Sequence, residues 1–147
     1  MATTFKWTAL GTLTSYLGAE LNALANAGNV IGAAIDNTAN LNTYMAVELF
    51  VNTQGVARSA GAYVSLYLLP SVDGTNYAYG GAALTPSAQR LVGVFALDAA
   101  VTARYTVLVD LPIPPTKFML LVQNNTGQAF AATLSTLKYR VYDMQGV

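Results

Sequence analysis

From about residue 30 onward, apolar and polar residues alternate along the chain with a period of two. Because successive side chains of a β-strand point to opposite faces of a sheet, this period predicts half-buried strands. Residues 91–97 are almost continuously apolar, which is typical of a more deeply buried strand. The alternating stretches are 44–51, 62–69, 104–111, 117–122 and 137–142.

Turn-forming residues separate these stretches. Glycine supplies positive φ angles and proline ends strand pairing, so both are typical of the connections between strands. The six or seven strands, with one more near residues 30–35, predict an all-β fold: an antiparallel β-sandwich of the jelly-roll type. The turn signals are Gln54-Gly55, Asp73-Gly74-Thr75-Asn76, Gly80-Gly81, Pro112-Ile113-Pro114-Pro115 and Asn124-Asn125-Thr126-Gly127.

The first thirty residues follow a different pattern. Leu17, Leu21 and Leu24 recur at i, i+4 and i+7, after Thr14 and Ser15 as candidate N-caps, which predicts a short helix. The chain is therefore divided into an N-terminal arm with a short helix (1–30) and a sandwich domain (31–147). The helix either packs on its own domain, or it belongs to an arm that docks on a neighbouring molecule.

The scarcity of charge is the most informative feature of the composition. Charged residues make up 10 % of the chain and the formal net charge is +0, whereas about 25 % is usual in soluble domains. Membrane insertion, an unusually apolar monomer, or a surface covered by partner chains would each explain this. The charge-free window 118–137 is interrupted by polar residues, and no apolar signal segment follows Lys6, so no membrane association is expected. The scattered basic residues favour no nucleic acid as a partner.

A covered surface is also indicated by the side chains predicted to point away from the core. Tyr44, Phe50, Tyr63, Tyr67, Leu69, Leu108, Met119 and Leu121 are assigned to outward positions, where an exposed sheet usually has charged residues. Aromatic residues dominate the energetics of interfaces. The candidate partner-interface residues are Phe5, Trp7, Tyr44, Phe50, Tyr63, Tyr67, Tyr77 and Tyr79.

The residue types available for chemistry favour a non-enzymatic protein without a cofactor or a metal. Cysteine and histidine are absent, which removes disulfides, the usual general base and the common zinc ligands. The Asp73 segment lacks the spacing of a calcium loop and is interpreted as a turn. Asp98 and Asp110 flank a predicted hairpin and would be the candidate carboxylate pair for sugar hydrolysis. Asn124-Asn125-Thr126, which matches a glycosylation acceptor, is interpreted as a polar turn.

Four segments resemble a family of small virion structural proteins of tailed bacteriophages. They are IDNTANLNTYMAVELFV, AYVSLYLLPSVDGTNYAYGG, QRLVGVFAL and LPIPPTKFMLLVQNNTGQAFAATLSTLKYRVYDMQ, which together span residues 35–145. The resemblance implies a jelly-roll-like cement or decoration protein that binds the outer capsid surface where major capsid subunits meet. It further implies copies of the chain itself as partners, in a dimer or trimer, and synthesis in the cytoplasm of the host bacterium. No catalytic residue is implied.

Two other functions stay open. A carbohydrate-binding sandwich on the virion surface is one, since jelly rolls also occur in lectins; Asn76, Tyr77 and Tyr79 at one open loop end would favour it. A tail-associated structural protein is the other, and it differs from the capsid protein only in its partner. Fold class alone does not decide among these functions.

Overall fold

The computed structural model describes residues 4–146, which form eleven β-strands and two short 3-10 helices. No helix in this range is long and apolar enough to cross a membrane. The 3-10 helices are Ala19–Leu21 and Ala88–Arg90. The strands are β1 (Phe5–Trp7), β2 (Thr14–Leu17), β3 (Asn29–Ile31), β4 (Ile35–Asp36), β5 (Tyr44–Val51), β6 (Tyr63–Ser71), β7 (Leu91–Ala96), β8 (Arg104–Pro112), β9 (Lys117–Asn125), β10 (Thr136–Tyr142) and β11 (Met144–Gly146).

The strands form two main antiparallel sheets. One has four strands in the order β2-β10-β5-β8, and the other has five, with β3-β9-β6-β7 in sequence and β4 also paired with β9. β1 and β11 pair as a separate two-stranded ribbon. The prediction of an all-β antiparallel sandwich is confirmed.

The two sheets enclose one apolar core. On β5, Met45, Val47, Leu49 and Val51 are fully buried, and the residues between them are half-buried, as the period of two predicts. They face Val64 and Leu66 of β6 and Phe118, Leu120 and Val122 of β9 in the same cluster. Full burial of each such side chain contributes about 1.5–3 kcal/mol. Because alternate residues of each strand point into this layer, it determines which side chains lie on the outer faces of the sheets.

A second, smaller cluster lies on the outer side of the five-stranded sheet. Tyr67, Leu69 and Leu121 are buried there, and Ala78 from the long loop 72–90 packs against them. The loop is held down by hydrogen bonds from Asn29 Nδ2 and Gln123 Nε2 to Thr85 Oγ1, at 3.0 and 2.8 Å. These three side chains point away from the main core, as the alternation predicts, and the chain's own loop covers them.

The predicted N-terminal helix is also wrong. Residues 14–17 are a strand paired with β10, and only one 3-10 turn follows it. Gly18 adopts φ −141° and ψ −96°, outside the helical region, and strand and turn direct Leu17 and Leu21 into the core. The leucine spacing thus reflects burial and not a continuous helix.

The N-terminal segment lies along the C-terminal end of its own chain. Phe5 to Trp7 pair with β11, Thr8 N donates to Asp143 O at 2.8 Å, and Gly11 N donates to Val141 O at 2.9 Å. Residues 14–31 contribute strands to both sheets. The division of the chain at residue 30 therefore stays a prediction from sequence, whereas the core includes residues from both sides of it.

Tyr16 connects the two sheets at one edge of the sandwich. Its hydroxyl donates to Ala33 O and accepts a hydrogen bond from Leu120 N, both at 2.8 Å. Tyr16 belongs to β2 and Leu120 to β9, so one phenol joins the four-stranded to the five-stranded sheet. Burial raises the pKa of Tyr16 to about 12.

Replacing Tyr16 with phenylalanine is expected to lower the free energy of unfolding by about 1–2 kcal/mol at neutral pH, since the buried backbone N–H of Leu120 loses its acceptor. The folded pKa of about 12 exceeds the ordinary value of 10.0, so the phenol's contribution is complete below pH 10 and is lost as the pH rises towards 12. Urea unfolding of parent and variant across this range tests the prediction.

The exposed Tyr79 provides the control, because Tyr79→Phe removes a hydroxyl without opening a buried site. Its unfolding curve is expected to follow that of the parent. A gap between parent and Tyr16→Phe that stays constant from pH 9 to about pH 12 would contradict the assignment.

Candidate functional site

Three apolar side chains point outward from the edge strand β8. Tyr105, Val107 and Val109 are 69, 55 and 61 % exposed. The sequence had assigned Leu108 to the outer face, but Leu108 points inward over Gly93, where any Cβ would clash with it. Asp110 has a φ of 55° and lies in a bulge opposite Ala46, which returns Leu111 to the core. The alternation was thus correct, and the choice of outward face was wrong.

Next to this row, the outer face of the four-stranded sheet contains a depression that we call the outer-face cleft. Ala46 lies in it as a small residue among larger ones. One part, of about 350 Å³, is lined by Trp7, Thr8, Leu10, Ala46, Val109, Asp110 and Tyr142. The other, of about 170 Å³, is lined by Leu13, Ala46, Glu48, Val107 and Arg140. The cleft therefore runs between the N-terminal segment and β8.

An aromatic cluster holds one end of the cleft in place. Trp7 meets Tyr44 and Tyr142 edge-on, each with ring centroids 5.4 Å apart, and half of its surface stays exposed. Tyr142 donates to Asp110 Oδ1 and accepts from Asp110 N, both at 2.8 Å. Burial raises the pKa of Tyr142, and the side-chain hydrogen bond to Asp110 raises it further by a smaller amount. At the other end of the face, Tyr105 stacks on Phe50 with centroids 4.4 Å apart.

The outer face of the four-stranded sheet also has charged residues. Glu48 lies directly opposite Lys138 across β5 and β10, and Arg140 lies opposite Ala46. All three are partly exposed. Among residues 4–146, none of the three is in an ion pair. Glu48 and Arg140 line the same part of the cleft.

A second exposed apolar area lies on the opposite side of the sandwich, and we call it the β7 face. It consists of Tyr63, Leu91 and Val94, which are 40–42 % exposed. Val94 lies opposite Ser65, and Leu91 opposite Tyr67, on the outer side of the five-stranded sheet. Like the row on β8, this area contains only uncharged side chains.

The eight candidate interface residues are spread over these surfaces. Trp7 and Tyr44 lie together at one end of the outer face, and Phe50 lies at the other end beside Tyr105. Phe5 is exposed on the terminal ribbon, and Tyr63 lies on the β7 face. The other three differ in exposure: Tyr67 is buried, so it offers little surface to a partner, whereas Tyr77 is half-buried and Tyr79 is 58 % exposed.

The loop around Asp73 is a hydrogen-bonded turn. Both carboxylate oxygens of Asp73 accept hydrogen bonds, Oδ1 from Asn76 N at 2.7 Å and Thr75 N at 2.9 Å, and Oδ2 from Asn76 Nδ2 at 2.7 Å. These bonds, led by the one from Asn76 N, hold the pKa of Asp73 well below its usual range. In residues 4–146, no three acidic side chains lie close enough together to hold a metal ion.

Asp98 and Asp110 do not form a carboxylate pair. Asp98 binds Arg104 at the start of β8, and Asp110 lies six residues further along the same strand, about 20 Å away at the usual rise. Glycoside hydrolysis needs two carboxyl groups about 5–10 Å apart. Asp98 instead accepts from Arg58 Nη2 at 2.9 Å, and hydrogen bonds from Arg104 and Arg58 lower its pKa.

Arg58 is fully buried and joins three segments. Its guanidinium donates to the carboxylate and the backbone oxygen of Asp98, to Thr102 O and to Gln54 Oε1, at distances of 2.9–3.1 Å. A buried charge destabilises the folded state unless it is paired and hydrogen-bonded, and these four acceptors meet that need for Arg58. Sequence reasoning missed this role, since nothing in the pattern around Arg58 distinguishes it from an exposed arginine.

Comparisons with known proteins give no family. No family model matches the chain, and no curated protein matches it. Among solved structures, it is similar to the CBM36-1 domain of a multidomain xylanase from the hindgut metagenome of Trinervitermes trinervoides, with 13 % identity, a TM-score of 0.44, and 99 % of this chain and 100 % of that chain covered.

Two further structures are similar at the same level. Xyl-CBM35 in complex with a disaccharide containing glucuronic acid has 14 % identity and a TM-score of 0.44, with 96 % of this chain and 86 % of that chain covered. CsCBM6-3 from Clostridium stercorarium in complex with cellobiose has 14 % identity and a TM-score of 0.41, with 97 and 86 % covered. At these values the similarities carry no argument about function.

Removing the buried guanidinium by Arg58→Ala is expected to lower the free energy of unfolding by about 2–4 kcal/mol, because Gln54 Oε1 and two backbone oxygens lose their donor. Arg104→Ala removes a partly exposed partner of the same Asp98, so it is the matched control and is expected to have a much smaller effect. Chemical denaturation measures both. Equal losses in the two variants would contradict the distinction.

Proposed function

We propose that this chain is a non-catalytic structural protein that attaches to the outside of a bacteriophage capsid and stabilises the assembled shell as a cement or decoration protein. The observation that supports the proposal is the presence of two apolar surfaces, the outer-face cleft with the β8 row and the β7 face, on opposite sides of one sandwich. A protein that bridges neighbours in a lattice needs contacts on more than one side.

The chemistry of the two surfaces fits attachment to other proteins. Contiguous exposed apolar areas mark interaction sites, and a free monomer usually remains dispersed through a well-charged surface. Here the formal net charge is +0 and charged residues are 10 % of the chain. Contact through uncharged side chains is screened little by salt, so this kind of attachment persists at high ionic strength.

The energetic effect follows from linkage. A protein that binds only the assembled shell favours that state by mass action. Each contact adds apolar burial at about 25 cal/mol per Å² before the cost of association. Several modest contacts on one bridging protein raise the overall affinity through effective concentration. No reactive group is needed for this function.

Carbohydrate binding is the second candidate, and one observation favours it. Tyr79 is exposed beside Gly80-Gly81, and an open aromatic ring is a suitable apolar surface for a sugar when polar groups lie near it. Asn76 and Tyr77, the other two residues predicted for a sugar site, are less available to bind a sugar. Asn76 uses its amide to bind Asp73, and the Tyr77 hydroxyl lies 3.5 Å from Gly74 O.

Capsid attachment is tested by washing phage particles that contain this protein in buffers from low to molar salt and measuring the retained protein after sedimentation. Retention is expected to change less than about twofold, since apolar contacts are weakly screened. Release of most of the protein at moderate salt would contradict the apolar attachment. Recovery of the protein only in tail fractions would assign it to the tail.

Val94→Glu is expected to reduce rebinding to stripped particles by about tenfold or more, because it buries a charge on the β7 face. Val72→Glu is the matched control: it makes the same substitution at a side chain that is 96 % exposed, in the loop after β6. Equal rebinding of the two variants would remove the β7 face from the attachment surface.

The carbohydrate function predicts retardation of the protein in gels that contain polysaccharides of the host cell envelope, and loss of that retardation in Tyr79→Ala. Affinity electrophoresis measures both, with Val56→Ala, a substitution at another exposed loop position, as the control. Mobility that is unchanged by every polysaccharide would exclude this candidate and leave the capsid proposal intact.

A further inference from the structure

Two opposite charges that are in no ion pair among residues 4–146 lie beside the apolar cleft, with Lys138 opposite Glu48 on the neighbouring strand. Glu48 and Arg140 line the same depression with Val107 and Leu13, yet neither is in an ion pair with any residue from 4 to 146. A charge that becomes covered by apolar contact needs an opposite charge against it. A partner that presents one acidic and one basic group beside apolar surface meets this need for both Glu48 and Arg140.

A second copy of the same chain presents that set of groups. In a two-fold contact the same surface serves both partners, and residue i meets residue j while j meets i. A two-fold axis that passes between Glu48 and Arg140 places Glu48 of one copy against Arg140 of the other. By the same symmetry, Arg140 of the first copy lies against Glu48 of the second. The exposed rows Tyr105, Val107 and Val109 then cover apolar surface on both copies.

The overall charge and the area available agree with self-association. A formal net charge of +0 removes long-range repulsion between identical copies. A stable interface covers about a tenth of a small protein's surface, or about 800 Å² on each partner, and the exposed surface here is 7584 Å². One broad face of a two-layer sandwich provides that area.

We propose that the outer face of the four-stranded sheet is a two-fold homodimer interface in which Glu48 of each copy pairs with Arg140 of the other. The inference deepens the proposed function: this face joins two copies, and the β7 face on the opposite side stays free for the shell. The dimer forms through this chain's own residues and does not need a capsid.

The oligomeric state of the purified chain tests the interface directly. Sedimentation velocity over a range of concentrations is expected to show a reversible monomer–dimer equilibrium. Val107→Glu is expected to raise the dimer dissociation constant by about tenfold or more, while the matched Val72→Glu leaves it unchanged. A parent chain that stays monomeric at high concentration, or a dimer that Val107→Glu leaves intact, would overturn the proposal.

Mixing two charge variants tests the pairing itself. Glu48→Arg alone places two cations against each other, and Arg140→Glu alone places two anions against each other, so each is expected to be monomeric. In an equimolar mixture every pair is again opposite in charge, and native mass spectrometry is expected to detect the heterodimer at close to parental affinity. A mixture that stays monomeric would overturn the Glu48–Arg140 pairing.

Particle binding separates this inference from the proposed function. The dimer proposal predicts that Val94→Glu dimerises like the parent, because the β7 face is not part of the dimer interface. Failure of Val94→Glu to rebind particles, with normal dimerisation, supports the division of the two faces. A normal dimer in a parent chain that binds no particle would reject capsid attachment and keep the homodimer.

Discussion

The shared apolar layer between the two sheets is the constraint on which the other features depend. Inward residues of β5, β6 and β9 are buried, and this fixes the register of these three strands, because a shift by one residue would turn the strand inside out. Tyr16 joins the sheets at one edge, and Leu108 packs over Gly93 at the other. The side chains that do not point into this layer then form the outer faces of the sheets.

The strands were predictable, and so were most of the outward faces, but the outward face of β8 was not. The alternation on β5 identified Val47 and Leu49 as core residues because the intervening positions include Glu48. On β8 the apolar set Tyr105, Val107, Val109 and Leu111 alternates with Arg104, Thr106, Leu108 and Asp110. The period therefore selects the apolar set as the buried side, whereas in the fold the first three of these side chains are exposed and Leu108 packs inward. The bulge at Asp110 decides it by bringing Leu111 inward after Leu108. A positive φ in a non-glycine residue is not visible in the residue pattern.

The N-terminal helix failed for a related reason. Leucines at i, i+4 and i+7 satisfy a helix, but a strand followed by a sharp turn can bury the same residues. What decides between them is the pairing of Thr14 to Leu17 with β10, a contact between residues at least 120 positions apart. Local periodicity contains no information about such a distant partner. The same holds for Arg58, whose acceptors at Asp98 and Thr102 lie some forty residues away.

The chain treats its two outer faces differently, and this bears on their function. On the five-stranded sheet, Tyr67, Leu69 and Leu121 also point away from the main core, and the loop 72–90 covers them. The four-stranded sheet has only the N-terminal segment at its margin, and the row on β8 is left open beside the cleft. On the five-stranded sheet the chain thus covers these three outward apolar side chains with one of its own loops. A face that stays open in such a chain favours a partner molecule as its cover, and Glu48 and Arg140, which are in no ion pair among residues 4–146, favour a partner with complementary charges at the same spacing.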